Sequence, residues 1–109
     1  MTLKKAASSK RAALPRASDH TKRFAKDWAR LSESGRYDMR RLKEAMLLLI
    51  GNEPLGPEWL DHALKSEWAE HRECHIGGDF LLIYQLQGSG NNEMLCFVRA
   101  GTHAELFES

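Results

Sequence analysis

The sequence contains little cysteine and no long hydrophobic run, and these two shortages exclude several classes of protein. Cys74 and Cys96 are the only cysteines in 109 residues, too few for a fold built on disulfides. The longest apolar run, Ala45 to Ile50, has six residues, whereas a membrane span needs about 18–20. The basic N-terminus lacks the apolar stretch of a secretory signal. We therefore expect a cytoplasmic protein with no membrane partner.

Acidic side chains are scarce in the first part of the chain. Residues 1–43 contain 13 Lys and Arg against four Asp and Glu, a net charge of +9, whereas residues 44–109 contain three against 11, a net charge of −8. A basic half of this kind attracts a polyanion or an acidic partner, but basic helix faces also occur simply as solvated surface. The asymmetry alone does not identify nucleic acid as the partner.

The pattern of apolar residues predicts an arm followed by two helices. Residues 1–17 are predicted to form a basic N-terminal arm, with Leu14–Ala17 as a possible short edge strand. Helical spacing then begins after a plausible N-cap at Ser18-Asp19 and continues to residue 51, with a break at Ser34-Gly35. Two helices joined by so short a break predict a helical hairpin over residues 19–51.

After an irregular linker the period changes to that of strands. Glu70–Ile76 and Phe80–Leu86 are predicted strands around a two-residue Gly77-Gly78 turn, and Met94–Ala100 is a third. The predicted fold class is therefore α+β, with an N-terminal helical hairpin packed on a small antiparallel sheet. Residues 18–109 would form this single domain.

The predicted hairpin brings titratable groups and an aromatic ring together. A two-residue turn would set His75 opposite Phe80 on one face, with Asp79 beside the turn. Two further candidates are His62, before the sheet on an irregular segment, and His103, after its last strand. Histidine takes and gives a proton near neutral pH, because its ordinary pKa is about 6.5. The candidate acid–base groups are His62, His75, Asp79 and His103.

A metal site is the main chemical alternative. The spacing of His71 and His75, together with Cys74 and Cys96, supplies ligand types that suit zinc. On a strand, however, residues four apart lie about 13 Å from each other at about 3.3 Å per residue. Two such imidazoles cannot both reach one ion. The sequence therefore predicts no metal and no cofactor.

The whole string of residues resembles the RelE/ParE superfamily of bacterial toxins, most closely its YafQ-like branch of ribosome-dependent mRNA endoribonucleases. The resemblance runs from about Thr21 to Phe107 and is specific from His62 onward, where Trp68, Asp79 and Gly101-Thr102-His103 occur at matching intervals. It implies a helical hairpin on an antiparallel sheet. It also implies metal-free cleavage of mRNA held by a translating ribosome.

The resemblance also assigns expected roles to individual residues. It implies that the four acid–base candidates form the catalytic cluster, that Phe107 positions the RNA and that Arg99 lies near the scissile phosphate. Phe80 stands where the family has tryptophan, and we expect its ring to stack on a base. His103 is favoured as the general acid, with His75 or Asp79 as the base.

The same resemblance implies the partners and leaves two alternatives. A cognate antitoxin, the ribosome and mRNA are the expected partners, with operator DNA reached only through the antitoxin. One alternative is a gyrase-inhibiting toxin of the ParE kind, although such relatives lack the histidine set. The other is an inactive module that only binds an antitoxin and acts as a co-repressor.

Overall fold

The computed structural model of the protein describes residues 14–107. It contains a five-stranded sheet with a helical hairpin packed on one face. The strands lie in the order β1-β5-β4-β3-β2. This arrangement confirms the predicted α+β class, while residues 1–13 of the predicted arm lie outside the described part of the chain. The elements are β1 (Ala17–His20), α1 (Lys22–Ser34), α2 (Met39–Ile50), β2 (His62–Ala63), β3 (Arg72–Gly77), β4 (Phe80–Gln87), β5 (Met94–Thr102) and α3 (His103–Phe107).

The first strand differs from its prediction in place and direction. Leu14–Ala17 is not a strand. β1 begins at Ala17 and pairs with β5 in parallel, so the sheet is mixed rather than purely antiparallel. Pro15 has no N–H to give to a ladder, and the N–H of Arg16 donates instead to the carbonyl of Ile50 at 2.7 Å. The boundary predicted between residues 17 and 18 therefore falls inside a strand.

The helical hairpin is confirmed, but α1 begins at Lys22, three residues after the predicted start of the hairpin at residue 19. Ser18 and Asp19 pair with β5, so the N-cap is Thr21, whose hydroxyl accepts the N–H of Phe24 at 3.0 Å. The helix ends at Gly35, which adopts the left-handed conformation with φ +70°. Asp38 caps α2 by accepting the N–H of Arg41 at 3.0 Å. The hairpin is thus set by caps at both helix starts and a glycine between them.

The two faces of the sheet are covered by different layers. One face packs on the helical hairpin and forms the main core, with apolar side chains that include Phe24, Leu31, Leu42, Ile76, Leu82 and Phe97. The opposite face is covered more thinly, by α3 and the segment before β3, and its buried residues are Leu81, Ile83 and Leu106. The second face leaves room for polar side chains at its margin, where the candidate site lies.

None of the helices within residues 14–107 is long and apolar enough to cross a membrane.

Candidate active site

Three histidines and a phenylalanine form a row on the sheet face away from the helical hairpin. The rings of His62 and His75 have centroids 6.2 Å apart, those of His75 and His103 are also 6.2 Å apart, and those of His103 and Phe107 are 5.9 Å apart. Three of the four predicted acid–base groups and the predicted RNA-positioning ring therefore occupy one continuous strip. The strip is at least partly open to solvent along its whole length.

The inner end of the strip is built by the pairing of β2 with β3. His62 was predicted on an irregular segment, but it lies in β2 directly opposite Glu73. His75 follows Glu73 by two residues on β3, so both side chains point to the same face. The Glu73 carboxylate consequently contacts both imidazoles, at 3.2 Å from His62 Nε2 and 3.5 Å from His75 Nε2.

Glu73 is the functional candidate that the sequence analysis missed. Its side chain is 4% exposed, and a carboxylate so buried requires partners, which the two imidazoles provide. The period of the strand was the available signal, because a residue two positions before His75 must share its face. The same period therefore places the carboxylate of Glu73 beside the His75 imidazole.

The outer end of the strip is built by the β3–β4 turn and the start of α3. Asp79 Oδ1 contacts His103 twice, since it accepts the backbone N–H at 3.2 Å and bonds to Nδ1 of the ring. These hydrogen bonds, the ring first, lower the pKa of Asp79 below its ordinary value. Asp79 is therefore ionised at neutral pH, and it holds the His103 ring through Nδ1 rather than Nε2.

The geometry of the β3–β4 turn differs from its prediction and removes Phe80 from the strip. The turn residues are Gly78 and Asp79 rather than Gly77-Gly78, and a register shift between His75 and Gly77 sets His75 opposite Leu81. Phe80 then points to the helical side, where it is 4% exposed and packs on Tyr37 with ring centroids 5.0 Å apart. The predicted stacking of Phe80 on an RNA base is incompatible with this burial.

Arg99 is also absent from the strip. Its side chain is buried, and two guanidinium nitrogens donate to Asp27 on α1: Nε to Oδ2 at 2.8 Å and Nη2 to Oδ1 at 3.1 Å. Burial by itself would raise the pKa of Asp27, but hydrogen bonds from Arg99, Ala100 and Arg30 lower it below its ordinary value. The predicted contact between Arg99 and the scissile phosphate therefore does not fit the structure, since this guanidinium is already paired.

Phe107 ends the strip in an exposed position. Its side chain is 38% exposed, and its ring meets Trp68 edge-to-face at 5.7 Å. Together with Trp68, His71 and Leu106 it lines a shallow groove next to His103. The ring is exposed enough to stack on an unpaired base, and the role in positioning RNA that the resemblance implies for it stays a prediction.

A second network holds the segment that carries His62. The Tyr84 hydroxyl donates to Asp61 at 2.6 Å, and Arg72 donates to the other carboxylate oxygen of Asp61 at 2.9 and 3.2 Å. The ring of His62 is oriented by a hydrogen bond between its Nδ1 atom and the carbonyl of Leu60, two residues earlier, at 2.8 Å. Leu60 adopts the left-handed conformation with φ +49°, which is strained for a leucine. With Nδ1 bonded to Leu60, the Nε2 atom of the His62 ring faces Glu73.

The structure separates the ligands of the predicted metal alternative but assembles a different set. Cys74 is fully buried on the helical side, and burial raises its pKa to about 12, so it remains a thiol. By contrast, one atom each of His62, Glu73 and His75 lies within 4.8 Å of the others. Ligands about 2.1 Å from a tetrahedral ion are separated by roughly 3.4 Å, close to the 3.2 and 3.5 Å that separate Glu73 from the two imidazoles. Within residues 14–107, these three form the group of histidine, cysteine and carboxylate side chains that could hold a divalent ion.

Comparison with known proteins identifies the family. The model for the bacterial toxin of type II toxin–antitoxin systems, YafQ, matches residues 16–108. The chain is 40% identical over 90 residues to the mRNA interferase toxin YafQ of Escherichia coli strain B/BL21-DE3, an alignment that covers 82% of this chain and 92% of that protein. The chain belongs to the YafQ toxin family. The resemblance seen in the sequence is thereby confirmed.

Solved structures agree with this membership of the YafQ family. The E. coli DinJ–YafQ complex matches with a TM-score of 0.72 at 40% identity, over 84% of this chain and 98% of that one. A copper-bound L66S mutant toxin from Helicobacter pylori matches with a TM-score of 0.75 at 39% identity, over 84% of this chain and 99% of that one. The predicted fold is thus the fold of YafQ toxins.

Proposed function

We propose that this YafQ-family toxin is an mRNA endoribonuclease whose acid–base groups are those of the histidine strip. The observation that carries the proposal is that the two middle imidazoles of the strip contact different carboxylates, His75 that of Glu73 and His103 that of Asp79. Two imidazoles, each held by a different carboxylate and about 6 Å apart between ring centres, can serve one reaction as base and acid. The family assignment supplies mRNA as the substrate class, because its E. coli member is an mRNA interferase.

The reaction follows from where protons must go. His75 takes the proton of the ribose 2′-OH, and the resulting oxygen attacks the adjacent phosphorus to form a 2′,3′-cyclic phosphate. The bond from phosphorus to the 5′-oxygen breaks, and His103 gives a proton to that oxygen through its free Nε2. The 2′-OH requirement selects RNA over DNA.

The carboxylates divide the remaining work. Asp79 has a lowered pKa and is therefore a weak base, so its role is to fix the ring of His103 rather than to take the 2′-OH proton. Glu73 holds His62 and His75 together and balances the charge that His75 acquires. A metal held by His62, Glu73 and His75 would act as a Lewis acid, but the route above uses only the side chains.

In this proposal, the ribosome would hold the mRNA substrate in place beside the histidine strip. We place the toxin in the cytoplasm, where its basic helices can contact ribosomal RNA and leave the histidine strip facing the mRNA. Exposed basic residues on the two helices are Lys22, Arg23, Lys26, Arg30, Arg40 and Lys43. Attraction of this kind is sequence-independent and weakens with salt. Phe107 would stack on a base beside the cleaved bond.

The partner of the toxin is a cognate antitoxin. E. coli YafQ toxins have been crystallised as DinJ–YafQ toxin–antitoxin complexes that match this chain over 84% and 86% of its length. The family assignment and the three clustered histidines together disfavour a gyrase inhibitor or an inactive co-repressor.

A reconstituted translation system with primer extension tests the proposal. The wild-type chain should cut mRNA at ribosome-positioned sites, and His103→Ala should lower the rate by about 100-fold or more through loss of the general acid. His20→Ala is the matched control, because His20 is exposed on β1 and outside the strip. Persistent cleavage by His103→Ala, or equal loss with His20→Ala, would refute the assigned role.

A further inference from the structure

The short helix α3 begins at His103, and its start is closed by a reciprocal pair of hydrogen bonds. The N–H of Thr102 donates to Glu105 Oε1 at 2.8 Å, and the N–H of Glu105 donates to Thr102 Oγ1 at 3.3 Å. This is a capping box, in which two side chains satisfy the free backbone groups of a helix start. His103 lies inside the box, one residue after its first member.

The preceding glycine makes room for the box. A side chain at Gly101 would place its Cβ 2.6 Å from Glu105 Oε1 and 3.2 Å from a guanidinium nitrogen of Arg30. The first distance is shorter than real Cβ contacts and the second is tight, so a side chain at position 101 would displace the Glu105 carboxylate from its present place. In the Gly101-Thr102-His103 sequence, the glycine therefore leaves space for the Glu105 carboxylate and the threonine caps the helix.

The box is anchored to the protein interior through Arg30. Its Nε lies 3.3 Å from Glu105 Oε2, and its NH1 group donates to Asp27 at 2.9 Å. Asp27 is buried and also accepts the backbone N–H of Ala100 at 3.0 Å. A continuous chain of polar contacts thus runs from the buried α1–β5 junction to the carboxylate that closes α3.

We infer that Arg30, Thr102 and Glu105 are positioning residues that hold the His103 ring over the reacting bond. The inference rests on the proposed function, which makes His103 the general acid. Asp79 fixes His103 from the turn side, and the Glu105 box fixes its backbone from the helix side, so the ring is held between two elements. Without the box, the five-residue α3 keeps only the packing of Leu106 and Phe107 and the contacts of His103 with Asp79.

The proposal predicts an effect on the chemical step rather than on ribosome binding. Misplacing a reacting group by about 1 Å can slow a reaction by about 100-fold. We therefore expect Glu105→Ala and Thr102→Val to lower the maximal single-turnover cleavage rate about 10- to 100-fold on programmed ribosomes. The half-saturating ribosome concentration should change less than about two-fold. Thr102→Ser retains the hydroxyl and should restore the rate.

The pair of Arg16 and Glu93 provides a matched control. Its atoms are 3.2 Å apart, against 3.3 Å for Arg30 and Glu105, and the two glutamates have nearly equal exposure. Glu93 lies next to the opposite end of β5 from His103. Glu93→Ala should therefore leave the maximal rate unchanged while removing a comparable ion pair.

Amide hydrogen exchange measured by NMR separates this inference from the proposed function. Exchange at residues 102–107 should accelerate in Glu105→Ala and remain at the wild-type rate in Glu93→Ala. A wild-type chain that does not cleave mRNA would refute the proposed function, while the exchange comparison would still test the box. Unchanged exchange, an unchanged maximal rate in Glu105→Ala, or an equal loss in Glu93→Ala would overturn the positioning role.

Discussion

At the scale of single residues, the site depends on a carboxylate that almost no solvent reaches. Glu73 contacts two imidazoles at 3.2 and 3.5 Å, and no other acidic side chain within residues 14–107 contacts either ring. A neutral amide of the same shape could still accept one hydrogen bond, but it could not balance the charge that His75 gains when it takes a proton. Under the proposed mechanism, we therefore expect Glu73 to act through its charge rather than through its volume.

The first prediction concerns the substitution Glu73→Gln. We expect cleavage to fall about 100-fold or more, while the folded structure persists because the amide fills the same buried space. Primer extension measures the rate and a thermal melt measures the fold. Glu93→Gln, a change of the same chemistry outside the strip, is the control. A near-normal rate in Glu73→Gln would show that the carboxylate charge is not used.

At the scale of elements, Thr21 joins the first strand to the first helix. Its hydroxyl accepts the N–H of Phe24 at 3.0 Å and donates to the carbonyl of Val98 at 2.7 Å. One side chain therefore both starts α1 and ties that start to β5. The register of α1 against the sheet follows from this contact, and Asp27 reaches Arg99 two turns further along.

The second prediction is that Thr21→Ala lowers the free energy of unfolding by about 1–2 kcal/mol, because the cap and the tie to β5 are both lost. Thr21→Ser keeps the hydroxyl and should retain most of the stability. Urea unfolding followed by circular dichroism measures the difference. Equal losses in the two variants would mean that the methyl group, not the hydroxyl, is responsible.

The observed strand boundaries can be compared with those predicted from the local pattern of apolar residues. The hydrophobic period located β3, β4 and β5, because buried side chains must alternate on a sheet. It misplaced the β3–β4 turn by one residue, because a bulge changes the count of residues without changing the pattern. That single shift moved Phe80 from the predicted catalytic face into the core.

At the scale of the whole molecule, one buried ion pair joins the two layers. Asp27 on α1 accepts from Arg99 and from Ala100 N–H on β5, and it is among the most deeply buried charged groups of the described chain. Its folded pKa lies below the ordinary value. Such a group stabilises the fold above the unfolded pKa of about 3.9 and ceases to do so as the pH falls through the folded pKa.

The third prediction is an acid dependence of stability that Asp27→Asn reduces. At pH 7 the variant should lose about 3–5 kcal/mol, because Arg99 is left without its charge partner. The difference between wild type and variant should shrink below about pH 4, where the unfolded wild-type chain binds the proton. Urea midpoints from pH 7 to pH 2.5 measure this, with Glu33→Gln as the control for one charge lost on the same helix.

Carbon-13 NMR of the Asp27 carboxyl group gives an independent reading of the same prediction. A midpoint of titration at or above 3.9 in the folded wild-type chain would contradict it, whatever the stability of the variant. This measurement also applies if Asp27→Asn fails to fold at neutral pH.

The sequence by itself determined the class of fold and the residue types from which a site could be proposed. Helical and strand periods reflect which side chains are buried, and burial is a local requirement that each segment carries within itself. The histidines, Asp79 and Phe107 were identifiable because few residue types move protons near neutral pH or stack on bases. These features need no knowledge of which segments meet.

Only the tertiary structure decided which of those residues share a surface. β1 pairs with β5 in parallel, and Arg99 forms an ion pair with Asp27. Both contacts join segments that are more than 70 residues apart in the sequence. The approach of Glu73 to His62 depends likewise on strand pairing, which no local period specifies. Hydrogen bonds and ion pairs of this kind form after the chain has closed long loops, so the partner of a charged residue is not encoded in its neighbours.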